Sequence, residues 1–310
     1  MNHKPKILLA HPGRQHSFRV AKALKENGLL FKYATTVYNK EDSFLIKLVN
    51  LFLSKDNKNR AKKRKCPSLT SNDVVLFNQL SGFILLLLLR IDYSKKIYYW
   101  FNKKTQDSFG KKVARFAIKH NVDAVICYDT NSLICFKILE KKAPQIKRVL
   151  DHSAVPRNFL FSIFTKYQTP VYEFYETIKN TKYLIDKKSS QFFAKEILLA
   201  HYHIVASNFT AKGLKYNSIS DDRIFKIPYG INEDFFSKNS TLKTHHKKLN
   251  ILFVGEFSQK KGIQQFLEAA IQLKGYVDFN HVGYIKPSFK TQYHNYLKNI
   301  NVIGYVLPSE

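Results

Sequence analysis

Four short segments of the chain carry groups that can do chemistry, and each lies at the end of a predicted buried strand. They span residues 11–17, 151–153, 227–232 and 253–262. In open α/β sheets, ligands bind beyond the carboxyl ends of the strands, where turns expose backbone N–H groups and polar side chains. Their position therefore makes these segments the candidate binding and catalytic sites.

The first segment, HPGRQHS, joins a predicted strand to a predicted helix. The N-terminus of a helix favours an anion, and Arg14 and His16 add donors for a phosphate or a sugar hydroxyl. A plain helix start, with Ser17 as its N-cap and two solvated side chains, is an equal alternative. The chain contains no GxGxxG and no GxxxxGK[ST] sequence, which argues against a dinucleotide fingerprint and a P-loop.

The second segment is Asp151-His152-Ser153, which ends the predicted strand KRVL. A titratable pair at a strand end can transfer a proton or orient a hydroxyl group. The three residues do not predict a hydrolase triad, because neighbouring side chains on a strand point to opposite faces. A turn with ordinary polar hydrogen bonds is the alternative interpretation.

The third and fourth segments each place a glycine after a predicted strand. Gly230, in the sequence IPYGIN, permits close approach of a ligand to the backbone or a positive φ. Gly255 ends the next strand, and Lys261 stands just before a predicted helix, so that backbone N–H groups and an ammonium group can bind a diphosphate. The alternative for this last segment is a surface loop with solvated lysines.

The elements that must position these groups alternate between strands and helices, which predicts an α/β fold. The segment 237–248 is polar and lacks apolar periodicity, and we predict that it links two domains, 1–236 and 249–310. The second domain is under half the usual size for its class. Strands are predicted at 6–10, 31–36, 123–128, 147–150, 203–206, 224–227, 250–255, 277–282 and 302–305, and helices at 17–27, 107–120, 159–200, 208–216, 263–274 and 290–298.

The order of these motifs resembles a known family. The sequences IPYGINEDFF and LFVGEFSQKKGIQQFLEA are similar to the motifs PNG(V/I)D…F and VGR…KG…LL.A of the retaining glycosyltransferase family 4. HPGRQHSFRVAKAL and ASNFTAKGL resemble two further parts of that family, so the likeness covers nearly the whole chain. It implies the GT-B fold, with two Rossmann-like domains that contain parallel sheets, the second of them incomplete here.

On the acceptor side, the resemblance implies that Gly13, Arg14 and His16 lie near the acceptor or the donor sugar. It also places a catalytic residue at the cleft between the two domains. That residue is His152 or Asp151, depending on a shift of one position in the match.

On the donor side, the resemblance implies that Gly230 and Gly255 line the nucleotide-sugar site and that Lys261 binds the diphosphate. Two departures weaken it. Glu256 stands where the family usually has an arginine, and the family's two glutamates that hold the donor would lie beyond Glu310. These departures suggest an incomplete or inactive form.

We therefore predict a retaining glycosyltransferase that moves a sugar from a nucleotide diphosphate-sugar to a saccharide or lipid-linked acceptor in cell-surface polysaccharide synthesis. The donor is the nucleotide-sugar itself, and we expect no cofactor and no essential metal. His201 and His203 could be metal ligands, but no third ligand is spaced with them, and the chain has no Asp-x-Asp. The alternative is a catalytically inactive, truncated glycosyltransferase or an acceptor-binding protein.

The charge of the chain restricts its partners. With 51 basic and 23 acidic residues, the net charge is +28, which favours anionic partners. The basic run 55–65 lacks interleaved aromatic residues, so an anionic membrane surface that carries lipid-linked acceptors fits it better than nucleic acid does. Binding at the inner face of the membrane, as a peripheral protein, is the corresponding expectation.

Two further features bear on the location of the chain. The three cysteines cannot all pair, and none lies in a CxxC sequence, which predicts a reduced, cytoplasmic compartment. The longest apolar run, residues 83–89, is far below the roughly 20 residues that span a bilayer, and we expect it to form a buried strand or helix.

Overall fold

The computed structural model of the chain describes residues 4–13, 16–40, 64–92, 94–166, 174, 176–179, 187–230 and 248–306. The chain divides into two compact units. The first unit comprises Met1–Ser162 and Lys187–Tyr229, and the second comprises Ile163–Asp186 and Gly230–Glu310. The expected linker (237–248) and the basic run (55–65) lie almost wholly outside the described residues. Arg14 also lies outside them.

The first unit is built on a parallel sheet of seven strands in the order β3-β2-β1-β4-β5-β6-β7. Every pairing in it is parallel, and β4 and β5 pair along five positions, from Ala124 with Lys147 to Tyr128 with Asp151. The strands are β1 (Ile7–Ala10), β2 (Leu30–Thr35), β3 (Val74–Leu76), β4 (Ala124–Tyr128), β5 (Lys147–His152), β6 (Tyr202–Val205) and β7 (Ile224–Lys226).

Helices connect the strands of both units. They are α1 (Ser17–Glu26), α2 (Gln79–Ile91), α3 (Lys96–Lys119), α4 (Leu133–Lys142), α5 (Arg157–Lys166), α6 (Glu176–Lys179), α7 (Lys187–Leu199), α8 (Asn208–Lys215), α9 (Ile263–Gln272), α10 (Pro287–Gln292) and α11 (His294–Leu297). Ser207 caps α8, because its hydroxyl accepts a hydrogen bond from the Thr210 N–H at 3.2 Å. None of the helices in the described ranges is both long enough and apolar enough to cross a membrane.

Helices cover the seven-stranded sheet on both faces. On one face, Val113 of α3 and Phe136 of α4 are fully buried against strand residues that include Leu150. On the other, Ala21 of α1 packs against Leu9 and its neighbours. Burial on both faces explains why the strand sequences ILLA and AVICY are continuously apolar rather than alternating.

The second unit contains a parallel sheet of three strands in the order β10-β9-β8. They are β8 (Leu249–Val254), β9 (Val277–Val282) and β10 (Asn301–Gly304). Buried apolar side chains of this unit gather around Phe174, whose ring stacks on that of Tyr293 at 4.3 Å. Phe174 precedes β6 and β7 in the sequence, and Tyr293 follows them. The core of the second unit therefore combines residues from both sides of these two strands.

The structure confirms the predicted α/β fold class with parallel sheets. The helix 79–91 and the short strand β3 were not predicted as such. The expectation that the apolar run 83–89 is buried is wrong, because Ile84, Leu87 and Leu89 on α2 are exposed. The boundaries 1–236 and 249–310 stay a prediction.

Candidate functional site

The first unit has a point at which the order of its strands reverses. The chain adds β2 and β3 on one side of β1, and β4 to β7 on the other. In doubly wound sheets, the crevice beyond the carboxyl ends of the strands at such a switch point is where ligands bind. Here the turn after β1, residues 11–13, and the turn after β4, residues 129–132, flank it.

A histidine and an aspartate meet at this edge. The Nε2 atom of His16 lies 3.0 Å from Oδ2 of Asp151. The His16 side chain is 19% exposed, whereas that of Asp151 is 5% exposed, so the carboxylate is enclosed and the imidazole can still be reached. His16 is the residue before α1, and Asp151 is the next-to-last residue of β5.

Hydrogen bonds connect residues on either side of the first turn to β2. Ser17 is not the N-cap of α1, contrary to the plain alternative, since it is buried inside the helix and its hydroxyl bonds to that of Tyr33 at 2.9 Å. The carbonyl of Gly13 accepts from the Thr35 hydroxyl at 3.3 Å, and its N–H donates to Nδ1 of His11 at 2.8 Å. The sequence HPG thus folds back onto β1 and β2.

Aromatic rings surround the imidazole of His16. It contacts the ring of Tyr128 edge-on, with centroids 5.0 Å apart, and that of Tyr229 at the same distance. The Tyr128 hydroxyl is buried and has no hydrogen-bond partner in the described part of the chain. Burial, reinforced by the negative charge of Asp151, raises the pKa of Tyr128 well above its usual range. Tyr128 is therefore a neutral hydrogen-bond donor beside the His16–Asp151 pair.

Asp151 and His152 point to opposite faces of the sheet, as strand alternation requires. Nε2 of His152 lies 3.0 Å from Nδ1 of His203, and both rings are buried. Burial lowers the pKa of His152 to about 3 and that of His203 to about 4, so the pair is neutral. Of the two candidates that the sequence left open, it is Asp151 that contacts His16.

The alternative role of His203 as a metal ligand gains no support from its surroundings. Its ring pairs with His152, and that of His201 accepts from the Arg148 N–H at 3.0 Å. In the described ranges, no three residues of the metal-binding types come together.

The buried carboxyl group of Glu196 and the half-buried one of Asp129 shape the turn after β4. Glu196 of α7 accepts hydrogen bonds from the Thr130 N–H at 2.5 Å and from the Ser132 hydroxyl at 2.8 Å, while Asp129 accepts from the N–H and hydroxyl of Ser153. Burial raises the pKa of Glu196 to about 7 and also raises that of Asp129. The cavity beside them measures about 20 Å³, which is room for about one water molecule.

Sequence reasoning missed Tyr128, Asp129 and Glu196. The first two could have been found, because Tyr128 ends the apolar strand DAVICY and Asp129 follows it, so that both must lie at the carboxyl edge of the sheet. Glu196 offers no such signal, since it lies in a helix and reaches the turn across 64 to 66 residues of chain.

The second unit contains the predicted donor-side segment. Gly262 adopts a φ of 79° and is the N-cap of α9, and in the first turn of this helix the Gln264 N–H donates to Oε1 of Gln259 at 3.3 Å. Lys261 and Glu256 are exposed beside it. A Cβ atom on Gly283 would overlap the carbonyl oxygen of Gly255, which shows how closely the two strand ends approach.

Gly230 follows Tyr229 at the end of the first unit and is exposed, with open space around it and an ordinary negative φ. The structure thus brings His16 and Asp151 together, and it bonds Gly13 to Thr35. It places Gly255 and Lys261 in the second unit. The roles predicted for all of these residues stay predictions.

No family model matches the sequence, and no curated protein matches it significantly. Among solved structures, the chain is similar to the apo form of the lipopolysaccharide outer core galactosyltransferase WaaB, with 12% identity and a TM-score of 0.52 over 97% of this chain and 68% of that one. It is also similar to the N-terminal domain of Candida albicans trehalose-6-phosphate phosphatase, with 12% identity and a TM-score of 0.51 over 98% and 72% of the two chains. Anabaena HepE in complex with UDP gives 11% identity and a TM-score of 0.50 over 97% and 69%.

These similarities and the two parallel sheets define the fold class. The chain has an α/β fold of the GT-B type. Identities this low establish the fold alone, so the chemistry has to be argued from the side chains at the carboxyl edge.

Proposed function

We propose that this chain is a retaining glycosyltransferase of family 4 that moves a sugar from a nucleotide diphosphate-sugar to a saccharide or lipid-linked acceptor in cell-surface polysaccharide synthesis. The observation that carries the proposal is the His16–Asp151 pair, a buried carboxylate that holds a reachable imidazole at the switch point of a GT-B-type sheet. The motifs around Gly230 and Lys261 support it independently.

The similar structures add limited support. WaaB is described as a galactosyltransferase, and HepE was solved with UDP, which agrees with a nucleotide-sugar donor. A third is described as part of a phosphatase, so the fold by itself does not choose the reaction. A lipid-linked acceptor would place the protein on the cytoplasmic face of the membrane.

In the proposed reaction, His16 binds the acceptor hydroxyl. If Nε2 carries the proton that Asp151 accepts, Nδ1 is left to accept a hydrogen bond from that hydroxyl. The hydroxyl oxygen bonds to the anomeric carbon on the same face from which the diphosphate oxygen departs, so that the configuration is retained, and the proton of the hydroxyl passes to Nδ1. Asp151 orients the ring and stabilises the imidazolium.

The departing diphosphate needs positive charge, because the electron pair of the broken bond stays on its oxygen. Lys261 and the positive end of the α9 helix dipole supply that charge without a metal ion in this proposal. The donor is a substrate, and no further cofactor is needed.

Isothermal titration calorimetry with UDP and with GDP tests the donor half. We expect one nucleotide to bind to the wild type and Lys261→Ala to abolish the binding heat, while Lys274→Ala, which removes another exposed lysine of the same unit, leaves it unchanged. A folded wild type that binds neither nucleotide would reject the proposal in favour of an inactive or acceptor-binding protein.

Release of nucleoside diphosphate from a panel of nucleotide-sugars tests the acceptor half. Asp151→Asn should lower acceptor-dependent turnover about tenfold to a hundredfold and leave nucleotide binding intact, because the carboxylate acts through His16. Asp221→Asn, a change at an exposed aspartate, is the control. Unchanged turnover in Asp151→Asn would remove the proposed role of the pair, and a product with inverted anomeric configuration would remove retention.

A further inference from the structure

Helix α2 presents a stripe of large apolar side chains to solvent. Leu80, Ile84, Leu87 and Ile91 follow one another at helical spacing, and each is between 45% and 62% exposed. Residues separated by four, three and four positions lie on one face of a helix. Single exposed leucines are ordinary, but a continuous stripe along a 13-residue helix forms a patch of the kind that marks an interaction surface.

The fold itself turns this stripe outward. Gly82 is buried, and a Cβ atom there would lie 2.5 Å from Cγ2 of Val37 and 3.1 Å from Cβ of Thr36. Gly82 is about 200° around the helix from Leu80, at about 100° per residue. Because α2 packs through its glycine side, the opposite face with the apolar stripe is held toward solvent.

The start of α3 continues the patch. No side chain of this helix is buried before Thr105, and Ile97 and Trp100 are each 59% exposed. The Nζ atom of Lys104 lies 3.9 Å from the centre of the Trp100 ring. Trp100 is the only tryptophan of the chain, and tryptophan side chains favour the boundary between lipid and water.

Local hydrogen bonds define the turn between the two helices. The carboxylate of Asp92 accepts from the Tyr98 N–H at 2.8 Å and from the Ser94 hydroxyl at 2.9 Å. Lys95 donates to the carbonyl of Leu89 at 2.6 Å. These bonds join the end of α2 to the start of α3.

The hairpin extends past the carboxyl edge of the seven-stranded sheet. Asn78 follows β3 at that edge, and its side-chain amide donates to the carbonyl of Thr105 at 3.1 Å. From Thr105, α3 runs back along the sheet to the amino end of β4 at Ala124. The turns of α3 that precede Thr105 thus stand beyond the edge that carries the His16–Asp151 pair.

Cations flank the apolar stripe. Between residues 90 and 104 the sequence has one acidic residue, Asp92, which is buried, and five basic residues, namely Arg90, Lys95, Lys96, Lys103 and Lys104. A helix hairpin with apolar side chains, a tryptophan and a basic border has the composition of an element that lies in the headgroup layer of an anionic membrane.

We propose that the α2–α3 hairpin docks this protein onto the surface of a bilayer that contains anionic lipids. Its apolar stripe and Trp100 enter the headgroup layer, and its lysines meet the lipid phosphates. A second copy of the chain fits this surface less well, because a two-fold contact would bring the same cations together. The inference does not rest on glycosyl transfer, and it assigns membrane contact to residues 79–104, outside the basic run 55–65.

Binding to lipid vesicles, read through Trp100, tests the proposal with the unmodified chain. We expect the protein to sediment with vesicles of equimolar phosphatidylcholine and phosphatidylglycerol, with a blue shift of Trp100 emission and quenching by brominated lipid. Vesicles of phosphatidylcholine alone should bind much less protein, because the lysine contribution is lost.

Two pairs of variants separate the apolar and charged contributions. Ile84→Glu with Leu87→Glu should weaken vesicle binding about tenfold or more, whereas Leu198→Glu, at a 64% exposed leucine of α7, should not. Lys96→Glu with Lys104→Glu should also weaken it about tenfold. Lys274→Glu with Lys290→Glu makes the same charge change on the second unit and should have little effect.

Three results would overturn the proposal. They are no binding to anionic vesicles, binding that leaves Trp100 emission unchanged, and binding that survives Ile84→Glu with Leu87→Glu. A blue shift that grows with protein concentration in the absence of lipid would also overturn it, since the hairpin would then be an interface between copies of the chain.

Discussion

The buried carboxyl group of Glu196 provides a quantitative test of how the turn after β4 is held. Burial raises its pKa from 4.5 to about 7, against the hydrogen bonds from Thr130 and Ser132, which lower it. Between these two values the unfolded chain has released the proton and the folded chain still holds it. The folded state then binds more protons, so the contribution of Glu196 to stability falls as the pH rises through this window.

The size of the effect follows from the shift. A difference of about 2.5 units at about 1.4 kcal/mol per unit gives a loss of about 3 kcal/mol between pH 4.5 and pH 7. Glu196→Gln replaces the carboxyl group with a neutral group of the same shape that still accepts from the Thr130 N–H. Relative to wild type, the variant should therefore gain about 3 kcal/mol in stability as the pH is raised from about 4.5 to about 7.5.

The wild-type profile alone would not reveal this, because a nearby pair has the opposite dependence. Buried His152 and His203 have lowered pKa values, so acid favours the unfolded chain, in which histidines take up protons at about 6.5. Subtracting the wild-type profile from that of Glu196→Gln cancels this contribution. Amide hydrogen exchange of β4 and β5 is the suitable assay, since it reads the opening of the first unit's sheet alone.

Glu140 provides a control for this comparison. Glu140→Gln removes the charge of an exposed glutamate on α4 and should leave the profile parallel to wild type. If the profile of Glu196→Gln is also parallel to wild type over this pH range, the carboxyl group ionises normally in the folded chain. Burial would then not raise the pKa of Glu196, and the reasoning about this turn would be refuted.

Three further outcomes are expected. Gly283→Ala should destabilise the second unit by about 1–3 kcal/mol in urea unfolding, because the new methyl group overlaps the carbonyl of Gly255, while Gly230→Ala, in open space, should cost less. His203→Leu should cost about 1–3 kcal/mol by leaving the ring nitrogen of His152 unpaired, and a double Leu variant at both positions should recover part of that loss. Phe136→Ala should cost about 3–5 kcal/mol at this fully buried position, and a cost below about 1 kcal/mol by hydrogen exchange would contradict its place in the core.

Apart from the three-residue β3, the strands of both sheets could be predicted from the sequence because their pattern is local. Runs such as ILLA and AVICY have to be buried on both faces, and helices with a single apolar face separate them. The alternation of side chains along a strand also predicted that Asp151 and His152 would point to opposite faces of the sheet. Which of the two contacts His16 depended on which face of the sheet α1 covers, and that is a property of the packed layers.

The apolar run 83–89 shows the opposite case. Its composition is that of a core element, yet one side of its helix lies in solvent. Whether an apolar helix is covered depends on what the rest of the chain leaves beside it. The leucine content of a helix therefore does not predict whether the helix is buried.

The sequence by itself determined the α/β class, the carboxyl-edge positions of the candidate groups and the basic character of the chain, because each follows from local periodicity and composition. The tertiary structure decided the contacts between residues far apart in sequence. It joined His16 to Asp151 and Glu196 to the turn after β4, and it turned the stripe of α2 outward through Gly82. Burial and hydrogen bonding across such distances are what change pKa values and create surfaces, and they exist only once the layers have packed.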